Sequence, residues 1–465
     1  MSGIHKPWPL SLRDSLRRNW IALFFISLVL PSCDTTELPP PPPENEPTIA
    51  LDSGPVGVTE AWLHVAFLDS IQQRGFKLSR DGEEVFNGYL AASDTFLLDS
   101  GLEPNNSYLY TASRIGGNEF TDSSDLFITT LDTTSHDFIW QIDTLGEGGS
   151  NLLRDVYVAG ENDVWVVGTL FQVDSTTGQI DPDAYNAAHW DGSSWEIMRI
   201  IFPVFCGQPS VFSPEIRGVY GFGSDNIWFT DGGHFVHWDG SQFEIVCGDW
   251  KDLGGEIVGL KRMWGSSPND IYAAGGGGAL GQASLAHYDG IGWSAIETGN
   301  TSTISDIWGG ADLRGESVIL CATSDIGQAG RAVLKLNGTT LIPLSDNGLG
   351  QILGGLWFVS DMTHYVVGDG LYAKHDVEDS SPWQNFQPGL TQYGMSCVRG
   401  SGVNDVMVFG SFGNNLHYNG VSWRNLHNQT FLDDGSFVNV DVRGDFLVAV
   451  GLNRGKGVVL FGWHQ

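Results

Sequence analysis

The chain has 465 residues, 61 of them Gly and 17 Trp, with 17% charged residues and a formal net charge of −32. So acidic a chain lacks the basic footprint that nucleic acid demands and would be repelled by a phosphate backbone, which excludes nucleic acid as a partner. Its length allows two or three domains.

At the N-terminus, Lys6, Arg13, Arg17 and Arg18 precede the apolar run Trp20–Leu30, which leads into Pro31-Ser32-Cys33. A basic start, a short apolar stretch and a small residue before a cut describe a secretory signal rather than a membrane span. Leu30, Ser32 and Cys33 resemble the lipobox of bacterial lipoproteins, although Pro31 departs from the usual residue there. The resemblance implies that residues 1–32 are removed and that Cys33 becomes the lipidated first residue, anchoring the chain to a membrane. The other reading is an ordinary signal with an incidental Cys. Residues 33–47 follow, and their Pro39–Pro43 run makes a stiff, extended spacer that cannot pack a core.

Residues 48–132 alternate in short strands: Ala61–Phe67, Gly75–Ser79, Thr95–Leu98, Ser107–Ala112 and Leu126–Leu131, with the turn Arg80-Asp81-Gly82. About seven strands without disulfides suit an immunoglobulin-like sandwich. Leu102-Glu103-Pro104 followed by Tyr108 resembles the tyrosine corner of fibronectin type III domains, and the closing Thr129-Thr130-Leu131 resembles their final strand.

From residue 133 to 465 one phrase returns. His-Trp-Asp-Gly stands at His189–Gly192 and His237–Gly240, His-Tyr-Asp-Gly at His287–Gly290 and His-Tyr-Asn-Gly at His417–Gly420. An aromatic follows each: Trp195, Phe243, Trp293 and Trp423. An acid-amide turn precedes each, as in Asn162-Asp163-Val164-Trp165 and Asn404-Asp405-Val406-Met407. Self-similarity at about 40–50 residues, with four strands per unit, is the mark of a β-propeller. Inner strands are expected at Leu153–Ala159, Ile216–Phe222, Leu260–Trp264, Ile304–Trp308, Gly355–Val359, Met395–Arg399 and Val438–Val442, hence seven blades. Asp-Gly favours tight hairpins, the Asn-Asp pairs suit hydrogen bonds to their own turns, and the trailing aromatic suits the face between blades. Lys335–Gly338 and Lys374-His375-Asp376 are decayed copies. The last unit lacks a fourth strand, while Asp137–Asp143 stands as an orphan before the first. The two are expected to pair and close the ring.

These units resemble those of bacterial secreted β-propeller proteins that read Val-Trp-Gly-Ser-Ser-Pro-Asn-Asp-Val-Trp and then His-Tyr-Asp-Gly. Met263–Tyr272 is a close copy. The resemblance implies an architecture and says little about activity. The expected fold is therefore all-β: a fibronectin type III-like sandwich, then a seven-bladed propeller closed by an N-terminal strand in the last blade.

Cys206 and Cys247 both lie just past an outer strand of neighbouring units, so a disulfide between them is geometrically plausible and permitted in an exported protein. Cys321 and Cys397 sit in apolar runs and read as buried thiols. The repeated His residues are spread around the ring one per unit, which favours a structural role over a shared metal. Asp174–Asp183 holds carboxylates suited to Ca²⁺ but lacks the EF-hand order, so no residue is assigned to a metal and no cofactor is required. Trp190–Trp195 superficially resembles a sialidase Asp-box, but its order is not met and a three-Arg clamp is missing. Arg154, Arg217, Arg262 and Arg399 are placed near inner strands and able to face the channel. The matching positions of Arg154 and Arg217 favour a structural role.

Loops on a rigid ring are a common place for recognition. The longest inserts carry Asp174, Asp181, Tyr185 and Phe205, the residues assigned here to a ligand loop. The expected function is non-catalytic binding of a protein or glycan by a monomeric lipoprotein at the cell envelope, on the outer membrane or cell surface. The alternative is a hydrolase or lyase acting on extracellular polysaccharide.

Overall fold

A computed structural model of the chain describes residues 48–69, 74–90, 92–116, 119–248, 250, 259–277, 282–299, 302–324 and 330–465. The expected signal (1–32), Cys33 and the proline-rich stretch 33–47 lie outside them. Residues from Pro47 to Gln465 make one compact unit. No helix among the described residues is long and apolar enough to cross a membrane.

The strands between residues 49 and 129 form two antiparallel sheets. One takes Ile49–Val56, Glu60–Phe67 and Asp94–Ser100 in that order. The other runs Glu83–Leu90, Arg74–Arg80, Ser107–Gly116, Glu119–Thr129. Strict alternation along Glu60–Phe67 sends Ala61, Leu63, Val65 and Phe67 inward, where they meet Phe76, Leu78 and Tyr110. Tyr108 Oη accepts the Glu103 N–H at 2.8 Å, above buried Leu102. Arg80 and the Tyr110 hydroxyl both donate to buried Asp99 at 2.7 Å, so that charge enters the core with its partners.

Seven four-stranded antiparallel sheets follow among the described residues. The first is Leu152–Gly160, Asp163–Leu170, Tyr185–Trp190 and Trp195–Met198. The inner strands of the next five are Gly218–Gly223, Leu260–Ser267, Ile304–Ala311, Leu353–Phe358 and Met395–Gly402. Each packs against the inner strand of the next sheet, and Gly435–Arg443 of the seventh packs against Leu152–Gly160 of the first. In the seventh sheet Gly435–Arg443, Phe446–Asn453 and Lys456–His464 take their fourth strand from Phe138–Leu145, registered from Gly457 opposite Leu145 to His464 opposite Phe138. Such sheets arranged around an axis are the architecture of a β-propeller.

The repeated phrase has a physical reading residue by residue. The Asp or Asn of the turn accepts the N–H groups two and three residues on, as Asp191 does from Ser193 and Ser194. The Gly beside it has φ near +90° in all four copies (Gly192, Gly240, Gly290, Gly420), a conformation that β-carbons resist. The His crosses to the second strand: His189 to Asp163 (2.9 Å), His237 to Asn226 (2.9 Å), His287 to Asp270 (2.7 Å) and His417 to Asp405 (3.1 Å). Three of the four rings also lie against the aromatic two residues past that partner, stacked on Trp165 and Tyr272 and tilted on Trp228.

The trailing aromatic packs on the preceding sheet, as Trp293 does on Phe235 with centroids 3.8 Å apart. Between inner strands an aromatic lies over a Gly of the next sheet. A Cβ at Gly221, Gly309 or Gly400 would fall 2.6, 2.6 and 2.7 Å from the rings of Tyr157, Trp264 and Trp357. Close approach, rather than turn geometry, sets those glycines.

Candidate functional site

The inner strands line an axial channel, and their bulges decide what points into its mouth. Register irregularities leave Arg154, Lys261, Ser305, Gly354, Ser396 and Val438 out of the ladder at equivalent places in six sheets. Arg217, just before Gly218, occupies the same place in the second sheet. Bulges re-aim side chains. Three consecutive sheets therefore present Arg154, Arg217 and Lys261 at one level, while the other four carry small or apolar residues.

Arg154 Nε donates to Glu215 Oε1 at 2.9 Å, and Arg217 Nε stands 3.8 Å from the other oxygen. The arginine side chains remain 42% and 48% exposed, so one half-shielded carboxylate serves two half-exposed cations. Burial, followed by the charge of Arg262 and its neighbours, pushes the Lys261 ammonium down to about 8. That shift is chiefly the cost of taking the ammonium out of water, to which the neighbouring arginines add and against which Asp306 works.

One level deeper the charges are matched. Arg399 makes a bidentate pair with Asp306, at 2.8 and 2.9 Å, and lies over the Trp308 ring at 4.9 Å. Arg262 sits between Asp155 (3.6 Å) and Asp306 (4.0 Å). The channel carboxylates also tie inner strands together. Asp155 accepts the Val219 N–H, Asp306 that of Leu356 and Asp441 that of Val158, each in the next sheet around. Burial pushes Asp441 up to about 6. The half-open cavity here has a volume of about 260 Å³ and is lined by residues that include Asp155, Tyr157, Arg262, Arg399 and Asp441. Its carboxylates are committed to backbone N–H groups and arginines, which is the work of a structural plug.

The loop that ends in Glu215 and Arg217 contains a small hairpin, Phe202–Pro203 with Val211–Phe212. Phe202 is buried, whereas Val204, Val211 and Phe212 are exposed and Phe205 is 66% exposed. A disulfide joins Cys206 to Cys247 with Cα atoms 5.7 Å apart, tying this loop to the end of the second sheet. Cys321 and Cys397 are buried thiols.

The other ligand-loop candidates are spoken for. Asp181 accepts from Arg199 Nη2 at 2.6 Å, and the same guanidinium lies 3.9 Å over the Tyr185 ring. Asp174 closes its own turn through the N–H groups of Thr176 and Thr177. Asp181 and Tyr185 thus share one partner, Asp174 stands apart and Phe205 belongs to the hairpin. Of the four arginines read as channel-facing, Arg262 and Arg399 are buried and paired, while Arg154 and Arg217 hold the mouth. Lys261 escaped the sequence reading, although its place directly before Arg262 matches that of Arg154 before Asp155.

A second polar cluster lies where residues 132–137 cross the sixth sheet. His417 Nε2 and His464 Nε2 stand 3.1 and 3.0 Å from the same oxygen, Asp405 Oδ1, and His136 Nδ1 lies 2.8 Å from His417 Nδ1. Burial and then the His417 ring push His136 down to about 4.

No protein-family model matches the chain, and no curated protein matches it. Solved structures do. One described as YCF48 bound to D1 peptide shares 15% identity at a TM-score of 0.50, covering 72% of this chain and 100% of that one. YCF48 from Cyanidioschyzon merolae shares 16% at 0.47, covering 70% and 98%. The WD40 β-propeller domain of Doa1 shares 14% at 0.45, covering 70% and 97%. The first of these likenesses extends to the fold alone, and the chain contains a β-propeller.

Proposed function

We propose that this protein is a non-catalytic lipoprotein of the cell envelope whose propeller holds an acidic peptide segment of a partner protein at the mouth of its channel. The observation that carries the reading is the arc of Arg154, Arg217 and Lys261 in a chain of net charge −32. Cations gathered at one rim of so acidic a molecule favour a carboxylate-bearing ligand, since guanidinium forks match carboxylates. The exposed apolar hairpin around Phe205, in the loop leading into that arc, suits a large apolar side chain of the same ligand. A peptide offers both groups along one strand, which favours protein over glycan. The structure of YCF48 with a D1 peptide is a precedent for a peptide on a similar fold.

The finer architecture belongs to the same proposal. The circular order of inner strands and the pairing of Phe138–Leu145 with Lys456–His464 support a seven-bladed ring closed by its own ends. The strand orders of the two N-terminal sheets and the Tyr108–Glu103 bond support a fibronectin type III-like sandwich over 48–132. Lipidation at Cys33 and the 33–47 spacer would hold both above a membrane.

The test is selection from a random peptide display library on the full chain, with a glycan array beside it. Acidic peptides carrying a large apolar residue are expected to be enriched. The double variant Arg154→Ala, Arg217→Ala should weaken them by about 10- to 100-fold, the worth of one or two charge-assisted hydrogen bonds. Binding of glycans alone, turnover of a polysaccharide, or an unaltered affinity in the double variant would overturn the reading.

A further inference from the structure

The repeat gives each His one acceptor on the second strand, and in the sixth sheet that pair has gathered more. Asp405 and His417 come from the sixth sheet, His464 from the end of Lys456–His464 in the seventh, and His136 from the segment just before Phe138–Leu145. His417 is fully buried and the His464 side chain only 12% exposed. The ligand atoms Asp405 Oδ1, His417 Nε2 and His464 Nε2 all lie within 4.8 Å of one another.

The Nδ1-to-Nδ1 contact of His136 with His417 gives those two rings one proton to share. When it sits on His417, the Nε2 lone pair of that ring faces the Asp405 carboxylate 3.1 Å away, an arrangement that calls for a cation between them. Donors held about 2.0–2.2 Å from a tetrahedral zinc ion stand roughly 3.3–3.5 Å from each other, close to the two nitrogen-to-oxygen distances of 3.0 and 3.1 Å, with the two imidazole nitrogens within 4.8 Å of one another. The remaining carboxylate oxygen of Asp405 accepts from Ser401, and His136 holds the far side of His417, the outer contacts that orient metal ligands.

We propose that Asp405, His417 and His464 bind one divalent transition ion of the zinc class, with His136 as a positioning residue. The ion fastens the sixth sheet to the strand that pairs with Phe138–Leu145, so it acts as a staple at the closure of the ring.

The experiment is a titration of the full chain, stripped with EDTA, with Co²⁺ and then Zn²⁺, read by visible absorption and by thermal unfolding. One equivalent of Co²⁺ should give a d–d band that Zn²⁺ abolishes, and Zn²⁺ should raise the unfolding midpoint. His464→Gln, at the penultimate residue, should lose the band, and His136→Ala should weaken binding by about 10- to 100-fold. His287→Gln, in the equivalent pair of the third sheet, should leave it intact. X-ray absorption of the zinc-loaded wild-type chain should show two imidazoles and a carboxylate oxygen, independently of how the variants fold. Failure of folded wild-type protein to bind one equivalent, full binding by folded His464→Gln, or sulfur ligands in the absorption spectrum would each sink the proposal.

Discussion

In the first sheet His189 reaches Asp163 and stacks on Trp165, whereas the same two places in the fifth sheet hold Ala373 and Thr363 beside Tyr365. The difference follows from what lies against each turn. Around the fifth sheet the N-terminal sandwich supplies the contacts: Trp62 Nε1 donates to Asp361 O at 2.7 Å, Glu60 stands 3.6 Å from His375, and Gly57 packs on Met362. The fourth sheet's turn is met similarly, with Arg314 3.1 Å from Asp94. Where the ring makes its own turn, the phrase is kept. Where a neighbour holds the turn, the phrase is free to decay, although the sixth sheet keeps it with Val58 of the sandwich against Gly420 and Asn404 donating to the Asp132 carbonyl. The first three sheets, which keep the phrase, carry the cationic mouth, while the sandwich meets the fourth, fifth and sixth, so the open side and the packed side divide recognition from support.

If the sandwich replaces the phrase at the fifth sheet, Trp62→Ala should cost about 2–3 kcal/mol, below the 3–5 of a fully buried aromatic, in urea unfolding of the whole chain. A loss under about 0.5 kcal/mol would remove the explanation for the decay. Close inter-sheet packing sets the fifth sheet apart too, because Phe358 stands where Gly309 and Gly400 do and the Trp308 indole donates to its carbonyl instead. Gly309→Ala, which drives a Cβ into the Trp264 ring, should cost about 1–3 kcal/mol, while Gly292→Ala, open on all sides, should cost little by the same measurement. On the open side, His287→Ala should lose about 1 kcal/mol as Asp270 forfeits its partner.

The smallest effect is a pH dependence. The Glu60 carboxylate, an acceptor and a negative charge 3.6 Å from the ring, raises the His375 pKa, so the protonated ring is favoured by folding. Its contribution is fully present below the unfolded value of about 6.5 and fades as pH rises through the folded one. Between pH 5 and 8 the wild type should lose somewhat under about 1 kcal/mol relative to Glu60→Gln, because the pair is partly exposed. Parallel pH profiles would show that this contact does not help hold the sandwich.

Much of the scaffold was legible because the repeat writes its geometry in residues. The expected strand Leu153–Ala159 is found at Leu152–Gly160, and the orphan at 137–143 pairs at 138–145 with the C-terminal strand. The His residues were read as structural, but their partner was not. Asp163 and its counterparts were expected to serve their own turns, yet their carboxyl or amide oxygens cross to the neighbouring strand. The mouth was harder. Arg154 and Arg217 were visible as matched positions, but Lys261 joins them only once bulges set three strands at one level, and spacing along the chain does not encode a bulge. The fates of Arg262 and Arg399 depend on Asp155 and Asp306, which reach them across the channel from distant sequence. Likewise His136, His417 and His464 meet only because strand Phe138–Leu145 shares a sheet with Lys456–His464.

The division between an open, cationic side and a packed side is tested most directly by hydrogen–deuterium exchange of the full chain with and without a selected acidic peptide. Protection is expected in residues 152–155, 202–217 and 259–262, with 353–376 unchanged. Protection confined to 353–376 or to the sandwich, with the cationic mouth exchanging as before, would contradict the account.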